Sequence, residues 1–425
     1  MRRGACPSLD APMRTGDGLL ARLRVVGGRL TPVQLTKVAA IAGQFGNGQI
    51  EITARGNLQV RGLSDATAVD FARAIEAVVE IERGLVVECP PLAGDDPAGL
   101  ADPRPLALTL KRHVDERLLN EKLGPKVTVV IDGGETIGLG ALGADIRLEA
   151  IDAAHWQLSV GNHAIGSVRG DSAINAAVAV LDLIAARGIS ARGRDLSVDD
   201  VRAALGEWLG SRVSAARVAG RSIGRFATHL GLAFGIGLPF GASDWQALVA
   251  LAAAATAHGV DEFRLAPHHG LLALGGDLGG WAEAAKALGF VTAPEDARRS
   301  ISACIGTDGC ASGQIAARRL AAELAQRHGA LLDGSISLHI SGCSKGCAHP
   351  RPATLAIVGG ADDCALVSNG RAGDTPVARS ARSSLGRSID RLAAGVAAKR
   401  QSGDTTAAVL ARAGATELAG LFRHE

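Results

Sequence analysis

The fold of this 425-residue chain is indicated by the stretch Ile50-Glu51-Ile52-Thr53-Ala54-Arg55, which returns in outline 213 residues later as Phe263-Arg264-Leu265-Ala266-Pro267-His268. Identity between the two copies is low, but the apolar pattern around them matches without gaps. The helical spacing of Leu35, Val38, Ala39 and Ala42 is repeated by Leu248, Leu251, Ala252 and Ala255. Self-similarity at a fixed shift indicates an internal duplication.

Each copy has the signals of a small α+β unit. In the first, residues 18–26 read as a strand, and Thr31-Pro32 begins a helix because Thr is a good N-cap and Pro suits the first helical position. Residues 50–60 then read as strand, turn and strand, and a second helix is predicted at 65–78. In the second copy, Ser243 or Asp244 caps the helix. This β-α-β-β-α order predicts a ferredoxin-like half domain.

Related segments follow each copy. A Val-rich strand over 126–131 precedes a hairpin pattern, and the second half repeats this with a strand over 335–340 and another hairpin. We therefore predict an α+β fold made of two ferredoxin-like half domains and two α/β lobes around a central cleft. The predicted parts are half domain 1 (10–80), lobe 1 (81–205), half domain 2 (218–290), lobe 2 (295–375) and a helical tail (376–425).

Four of the seven cysteines form two pairs in the second lobe. Cys304 and Cys310 are separated by five residues in a Gly-rich loop before a helix predicted over 311–327, and Cys343 and Cys347 are separated by three residues after a strand. Four thiolates suit zinc or an iron–sulfur cluster, and gaps of five and three differ from those of zinc ribbons. The alternative is that they are buried free thiols. The other cysteines carry no such pattern and are predicted to be ordinary thiols: Cys6, Cys89 and Cys364.

These motifs, ACIGTDGCASG at 303–313 and HISGCSKGCAHP at 339–350, resemble the sulfite and nitrite reductase family. The resemblance covers residues 10–375 and implies that the four cysteines hold a [4Fe–4S] cluster. The segment 53–59 resembles the family's Thr-x-Arg-x-x-x-Gln tetrapyrrole-binding strand. By this resemblance Arg55, Asn57 and Gln59 bind the tetrapyrrole. Arg61 and Lys126 are added because a macrocycle with many carboxylates needs basic residues along its cleft. For Arg55, Arg61 and Lys126, a solvated charge on a strand face is the alternative.

The chain departs from the reductases where they bind an oxyanion on sirohaem. In the reductases, one strand near this site carries two basic residues. The corresponding strand of this chain is Gly124-Pro125-Lys126-Val127-Thr128, in which Lys126 is retained and Thr128 replaces the other basic residue. Fewer positive charges weaken the case for sulfite or nitrite reduction, because such charges hold the anion during multi-electron reduction. A sirohaem-dependent reductase therefore stays as an alternative, and a non-enzymatic iron–sulfur electron-transfer subunit is a second one.

The N-terminal segment from Arg3 to Leu20 resembles the branch of this family that hydroxylates precorrin-3A in aerobic cobalamin biosynthesis. The resemblance implies a monooxygenase that uses O2 and an electron donor, with lactone formation, and that carries a mononuclear non-haem iron besides the cluster. The sequence has no Gly-rich dinucleotide fingerprint after a strand, so NADH acts through a partner reductase or binds without a recognisable motif.

The sequence offers two pairs of histidines as ligands for the mononuclear iron. The adjacent His268 and His269 are candidates, because imidazole with carboxylate suits non-haem Fe(II). A surface turn is the alternative for this pair. His339 and His349 flank the second cysteine pair and are further candidates, although a role in hydrogen-bonding the cluster loops is favoured for them.

Composition limits the other possibilities. The chain is 47% hydrophobic with a net charge of +2, which excludes a disordered protein and argues against nucleic-acid or membrane-surface partners. Residues 1–7 contain charges but no apolar stretch behind them, so no signal peptide is predicted and a cytoplasmic location is expected.

Overall fold

The computed structural model describes residues 7–211 and 221–423, which form two compact units. Of the described residues, the first unit comprises 7–13, 20–211, 221–237 and 243–290, and the second comprises 14–19, 238–242 and 291–423. Cys6 and the segment Arg3–Ala5 lie outside the described residues.

The first half domain follows the predicted order of strands and helices. Its elements are β1 (Met13–Thr15), β2 (Gly18–Leu23), β3 (Arg29–Leu30), α1 (Pro32–Phe45), β4 (Gln49–Ile52), β5 (Leu58–Leu63) and α2 (Ala68–Glu76). Thr31 caps α1 by accepting the backbone N–H of Gln34, whose side chain accepts the backbone N–H of Thr31 in return. The predicted apolar face of α1 is buried. The first strand ends at Leu23, three residues before the predicted end.

The first lobe is a five-stranded sheet with helices. Its elements are β6 (Val86–Glu88), α3 (Arg104–Glu116), β7 (Thr128–Asp132), β8 (Ile146–Ala150), β9 (His155–Val160), β10 (His163–Arg169), α4 (Gly170–Ala186) and α5 (Val198–Leu205). Strands β6, β7 and β8 run parallel, and β9 and β10 continue the sheet antiparallel. The three helices bury their apolar faces in one core with the sheet.

The second half domain repeats the first. Its elements are β11 (Gly224–Thr228), β12 (Gly231–Gly237), β13 (Ala242–Asp244), α6 (Trp245–Ala257), β14 (Glu262–Ala266), β15 (Gly270–Leu274) and α7 (Leu278–Ala287). Of the two caps considered, Asp244 is the N-cap of α6 and accepts the backbone N–H of Gln246. The elements correspond to those of the first copy at the shift of 213 residues, which confirms the predicted duplication.

The two half domains exchange a strand. The sheet orders are β1-β2-β5-β4-β13 and β11-β12-β15-β14-β3. Thus β3, which leads into α1, pairs with β14 of the second copy, and β13, which leads into α6, joins the sheet of the first. Helices α1 and α6 approach so closely that a Cβ atom on Gly43 would lie 2.7 Å from the ring of Trp245. Neither half domain therefore completes its sheet without the other.

The second lobe has the topology of the first. Its elements are β16 (Ile301–Ala303), α8 (Ala317–Arg327), β17 (Leu338–Ser341), β18 (Ala353–Gly359), β19 (Asp363–Gly370), β20 (Ala378–Ala381), α9 (Leu385–Ala398) and α10 (Thr406–Phe422). Strands β16, β17 and β18 are parallel, and β19 and β20 are antiparallel. The segment 376–425 thus begins with a strand of this sheet, and α9 and α10 bury residues in the same core.

One helix boundary differs from the prediction. The helix after the first cysteine pair begins at Ala317 rather than Ala311, because residues 311–316 form a loop held to the neighbouring loops. Within residues 7–211 and 221–423, no helix combines the length and apolar character needed to cross a bilayer.

Candidate functional site

The first cysteine pair lies in the loop that leaves β16. The backbone N–H of Cys304 donates to the carbonyl of Ile340 on β17, and the N–H of Cys310 donates to the carbonyl of Gly306. Gly306 has φ of +65°, and a Cβ atom there would meet the carbonyl of Ile315 at 2.2 Å, so only glycine fits. The loop thus folds back on itself between Cys304 and Cys310, which are separated by five residues in the sequence.

The second pair follows β17, the neighbouring parallel strand. Carboxyl ends of adjacent parallel strands meet at one sheet edge, so the two loops lie together. The backbone N–H of Gly342 donates to Cys304 Sγ at 3.1 Å, and the N–H of Gln314 donates to the carbonyl of Gly342 at 2.7 Å. Lys345 Nζ donates to Ser312 Oγ at 2.8 Å. These bonds join the loop of the first pair to that of the second.

The four thiols are electrostatically coupled. Burial raises the pKa of the Cys347 thiol, and the nearby Cys343, Cys304 and Cys310 raise it further. A cation among the four sulfurs would stabilise the thiolate form of Cys347 against this effect. In a [4Fe–4S] cluster each thiolate binds a different iron, so the four sulfurs surround the cluster rather than a single ion. The donor set and its coupling therefore fit such a cluster.

An N-terminal turn completes the surroundings of the first pair. The N–H of Ala311 donates to the carbonyl of Gly16 at 3.2 Å, and a Cβ atom on Gly16 would lie 2.6 Å from Cys310 Sγ. Thr15 Oγ1 closes the turn by donating to Asp17 and to the carbonyl of Gly18. The contact with Cys310 was not predicted from the sequence, because nothing local links residue 16 to residue 310.

Across residues 7–211 and 221–423, no three or more His, Cys, Asp or Glu side chains are arranged so that they could hold a single metal ion. His339 and His349 are the two histidines beside the second cysteine pair, and their ring centroids are 5.7 Å apart. His339 is fully buried on β17, and burial together with His349 lowers its pKa to about 4. The imidazole of His339 is therefore neutral at physiological pH.

Arg55 lies in the turn between β4 and β5, in the first unit. Thr53 Oγ1 shapes this turn by accepting the N–H groups of Arg55 and Asn57. The Arg55 guanidinium contacts the Glu88 carboxylate at the end of β6 and the carbonyl of Gly143. Burial raises the pKa of Glu88, and Arg55 offsets part of this effect. The arginine is thus held at a defined position while its side chain remains 30% exposed.

Gln59 and Arg61 lie on the same face of β5, two residues apart. Gln59 is buried, accepts two hydrogen bonds from the Arg22 guanidinium at 2.8 and 3.0 Å, and donates to Glu51 at 2.9 Å. Arg61 forms an ion pair with Glu51 at 3.6 Å. The sheet face therefore carries two arginines, and Arg22 on β2 is one that the sequence motif did not reveal.

Asn57 and Lys126 are placed differently. Asn57 is half-buried in the Arg55 turn, where its backbone carbonyl accepts the N–H of Thr53. Lys126 is exposed before β7, two residues ahead of Thr128, whereas Glu88 is aligned with Val130 further along the strand. Lys126 is therefore near the amino ends of the parallel strands, and Arg55 contacts their carboxyl ends.

The structure brings the turn of His268 and His269 beside the Arg55 turn. The N–H of His268 donates to the carbonyl of Ala54 at 3.0 Å, and His269 Nδ1 is hydrogen-bonded to the carbonyl of Ile52. Both histidines have positive φ values, 59° and 66°, which are uncommon for residues with a side chain. The equivalent turns of the two half domains thus meet.

Arg264 precedes this turn on β14, and its side chain is only 4% exposed. It pairs with Asp95 at 2.6 Å and with Glu262 at 2.7 Å, and it donates to the carbonyl of Pro91. Because these carboxylates neutralise it in a buried place, Arg264 serves the structure of this sheet and its neighbouring linker.

The remaining described cysteines are Cys89 and Cys364. Burial raises the pKa of Cys89 to about 12, and it also raises that of Cys364 on β19. Both are therefore thiols at neutral pH.

The loops of lobe 1 that correspond to the cysteine loops carry carboxylates. Asp132, at the end of β7, accepts backbone N–H groups of Gly134 and Leu139 at 2.9 and 2.6 Å. Glu135 is 7% exposed, and neither of its carboxylate oxygens has a hydrogen-bond partner within the described part of the chain. Burial and the nearby Asp132 raise the pKa of Glu135 to about 8, so its side chain is protonated at neutral pH.

Comparisons with known proteins agree with this architecture. Residues 11–78 match the family described as the nitrite/sulfite reductase ferredoxin-like half domain. The NirA protein of Mycobacterium tuberculosis has a similar structure, with a TM-score of 0.73 at 20% identity over 94% of this chain and 84% of that one. The predicted reductase-like α+β fold is confirmed. A curated protein of Sinorhizobium sp., named precorrin-3B synthase, is 40% identical over 439 aligned positions, covering 99% of this chain and 95% of that protein.

Proposed function

The chain belongs to the precorrin-3B synthase family, and from this premise we propose that it is an oxidoreductase of cobalamin biosynthesis that hydroxylates precorrin-3A. One oxygen atom of O2 enters the product, an acetate side chain closes a lactone, and the other oxygen leaves as water with two electrons from a donor. The observation that carries this proposal is the 40% identity, which extends over 99% of the chain and therefore includes both half domains and both lobes.

Cys304, Cys310, Cys343 and Cys347 are the residues that would hold a [4Fe–4S] cluster. When bound, such a cluster supplies single electrons at a low potential. The chain's own contribution is the pair of loops after β16 and β17, which are joined by Gly342 and Lys345 and hold the thiols together. The raised pKa of Cys347 supports this assignment, because thiols crowded in this way favour a cationic centre.

The macrocycle carries several carboxylates, which guanidinium groups bind with paired hydrogen bonds. Arg55 is prepared for this role by Glu88 and Gly143, which hold its side chain without covering it. Arg61 and Arg22 on the same half domain would contribute further positive charge, with Gln59 and Glu51 fixing their positions. We assign these residues to substrate binding, together with Asn57 through the shape of the Arg55 turn.

We place the O2-dependent step near the paired turns of Arg55 and His268. His268 and His269 are joined to the Arg55 turn by hydrogen bonds, so their imidazoles would lie beside a substrate held by Arg55. Because the described residues offer no set of three ligands around these histidines, we assign no step to a mononuclear iron at this place. Lys126 is assigned a lesser role because it lies at the other end of the parallel strands. The electron donor is NADH acting through a separate reductase or binding directly.

The decisive experiment incubates the purified protein with precorrin-3A, a chemical or enzymatic reductant and 18O2. The expected product is a hydroxylated lactone that gains one 18O atom, detected by mass spectrometry. Turnover without 18O incorporation, or no turnover by protein that contains iron and sulfide in cluster amounts, would contradict the proposal.

A visible spectrum of the same preparation distinguishes the proposed function from that of a sirohaem-dependent reductase. A sirohaem band with sulfite- or nitrite-dependent oxidation of the reductant would support a reductase instead. An iron–sulfur spectrum without sirohaem, combined with precorrin turnover, supports the proposal. An iron–sulfur protein that exchanges electrons but leaves precorrin-3A unchanged would be an electron-transfer subunit.

A further inference from the structure

His339 is a histidine on the buried strand β17, and apolar residues surround the strand more than is usual for a polar side chain. Along this strand Leu338 and Ile340 point into the main core of lobe 2, so His339 lies on the opposite sheet face. The buried apolar residues on the other side of the sheet form a small cluster: Ala356, Val358, Ala365, Val367 and Ala372. His339 is 0% exposed.

Neither ring nitrogen of His339 has a hydrogen-bond partner within residues 7–211 and 221–423. A buried polar group without a partner destabilises the folded state. An aliphatic side chain would pack against this apolar cluster without that cost. The imidazole therefore needs a partner that the described residues do not supply.

The ring faces the loop of the second cysteine pair. A Cβ atom placed on Gly346, the residue before Cys347, would lie 3.6 Å from His339 Cε1. Because Cε1 is bonded to both ring nitrogens, the end of the imidazole that carries them lies beside the Cys343–Cys347 loop. The same Cβ atom would lie 3.2 Å from the Cβ of Ala372, so Gly346 leaves little space between its backbone, Ala372 and His339.

We propose that His339 is a positioning residue that donates its ring N–H to a sulfur atom of the iron–sulfur centre held by the Cys343–Cys347 loop, and that this bond sets the reduction potential of the centre. The inference rests on the cluster proposed above. Hydrogen bonds to cluster sulfurs stabilise the more negative, reduced form and raise its potential. The loop already shows such chemistry, since the N–H of Gly342 donates to Cys304 Sγ.

His349 has a different role. Its ring is 5.7 Å from that of His339, but it is only half-buried and Nε2 lies 3.3 Å from the carbonyl of Pro352. The two histidines therefore form a matched pair: among the described residues, His349 has a hydrogen-bond partner and His339 has none.

The test is an EPR-monitored redox titration of the anaerobically purified protein and of three variants, His339→Leu, His339→Asn and His339→Gln. We expect His339→Leu to lower the potential so that the reduced-to-oxidised ratio at a fixed potential falls roughly tenfold, which equals about 59 mV for a one-electron couple. One of the two amide variants should keep the wild-type ratio, because Asn places an N–H near Nδ1 and Gln near Nε2. His349→Asn should leave the ratio unchanged.

A wild-type potential in His339→Leu would overturn the inference, as would an equal shift in all three variants, which would show a packing effect. If the variants do not assemble a cluster, a measurement on the wild type still tests the inference. With 15N-histidine, pulsed EPR of the reduced centre should detect a weak 15N coupling that persists in His349→Asn, and its absence overturns the inference. If the wild type contains no iron and sulfide, the cluster assignment itself fails; a cluster with an unaltered potential refutes only the role of His339.

Discussion

Lobe 1 and lobe 2 have the same strand order and differ in what their loops carry. In both, three parallel strands are followed by two antiparallel ones, and two helices come after the last strand. Glu88 on β6 is aligned with Val130, and Ala303 on β16 is aligned with Ile340. The following residues, Cys89 and Cys304, therefore occupy equivalent places.

The difference begins immediately after those residues. In lobe 2 the loop turns back through Gly306 and meets a second loop with two more cysteines. In lobe 1 the corresponding loops bury Asp132 and Glu135, and Cys89 remains a single protonated thiol. A shared backbone scaffold thus permits two different chemistries, since the residues after the strands decide what each edge can bind.

The largest expected effect separates the two equivalent cysteines. Cys304→Ser should abolish the cluster, because one of four thiolates is lost, whereas Cys89→Ser should leave iron and sulfide content unchanged. Iron and sulfide analysis with the visible spectrum measures both. Equal losses of iron and sulfide in the two variants would contradict the proposed difference between the lobes.

The next largest effect is the pH dependence of stability that the buried carboxyl of Glu135 in lobe 1 should cause. Glu135 has an ordinary pKa of 4.5 in the unfolded chain and about 8 in the folded one. Between these values only the folded state keeps the proton, so the free energy of unfolding should fall as pH rises from 4.5 to 8 and then level off. The total is on the order of a few kcal/mol.

Glu135→Gln should remove that dependence and make the protein more stable than the wild type at pH 9. Urea unfolding at several pH values measures it. Glu116→Gln, an exposed substitution on α3 of the same lobe, is the control and should follow the wild type. A Glu135→Gln curve that parallels the wild type would contradict the buried, protonated carboxyl.

A smaller effect is expected at the substrate-binding turn. Arg55→Ala should raise KM for precorrin-3A by roughly tenfold, equivalent to ~1.4 kcal/mol, with little change in kcat, because a carboxylate contact is lost in both ground and transition states. Steady-state kinetics measures this. Arg73→Ala, an exposed substitution on α2, should leave KM unaltered. A fall in kcat alone would place Arg55 in the chemical step instead.

The smallest effect compares the two half domains. Thr31→Ala removes a capping box from α1 and Asp244→Ala removes a single capping bond from α6, so each should cost about 1 kcal/mol of stability, with Thr31 the more costly. Urea unfolding measures both. The opposite order would show that the exchanged strand β13, which ends at Asp244, contributes more than the cap.

Local patterns were sufficient for most elements of the fold. The apolar spacing of α1 and α6, the caps at Thr31 and Asp244, and the turn between β4 and β5 are all short-range features. The helix predicted from Ala311 was displaced to Ala317 because contacts with Gly342 and Gly16, far along the chain, hold the preceding residues in a loop. Such contacts leave no periodic signal in the sequence.

Part of the candidate site could also be predicted from local patterns. The spacing of the cysteine pairs and the 213-residue repeat were recognisable in the sequence, because the spacing of metal ligands and the periodicity of helices and strands are properties of short segments. The exchange of β3 and β13, the support of Arg55 by Glu88, the arginine at position 22 and the place of His339 beneath Gly346 were decided only by the tertiary structure. Each depends on which distant segments pack together, and that is settled by burial and hydrogen bonding across the whole chain rather than by any local pattern.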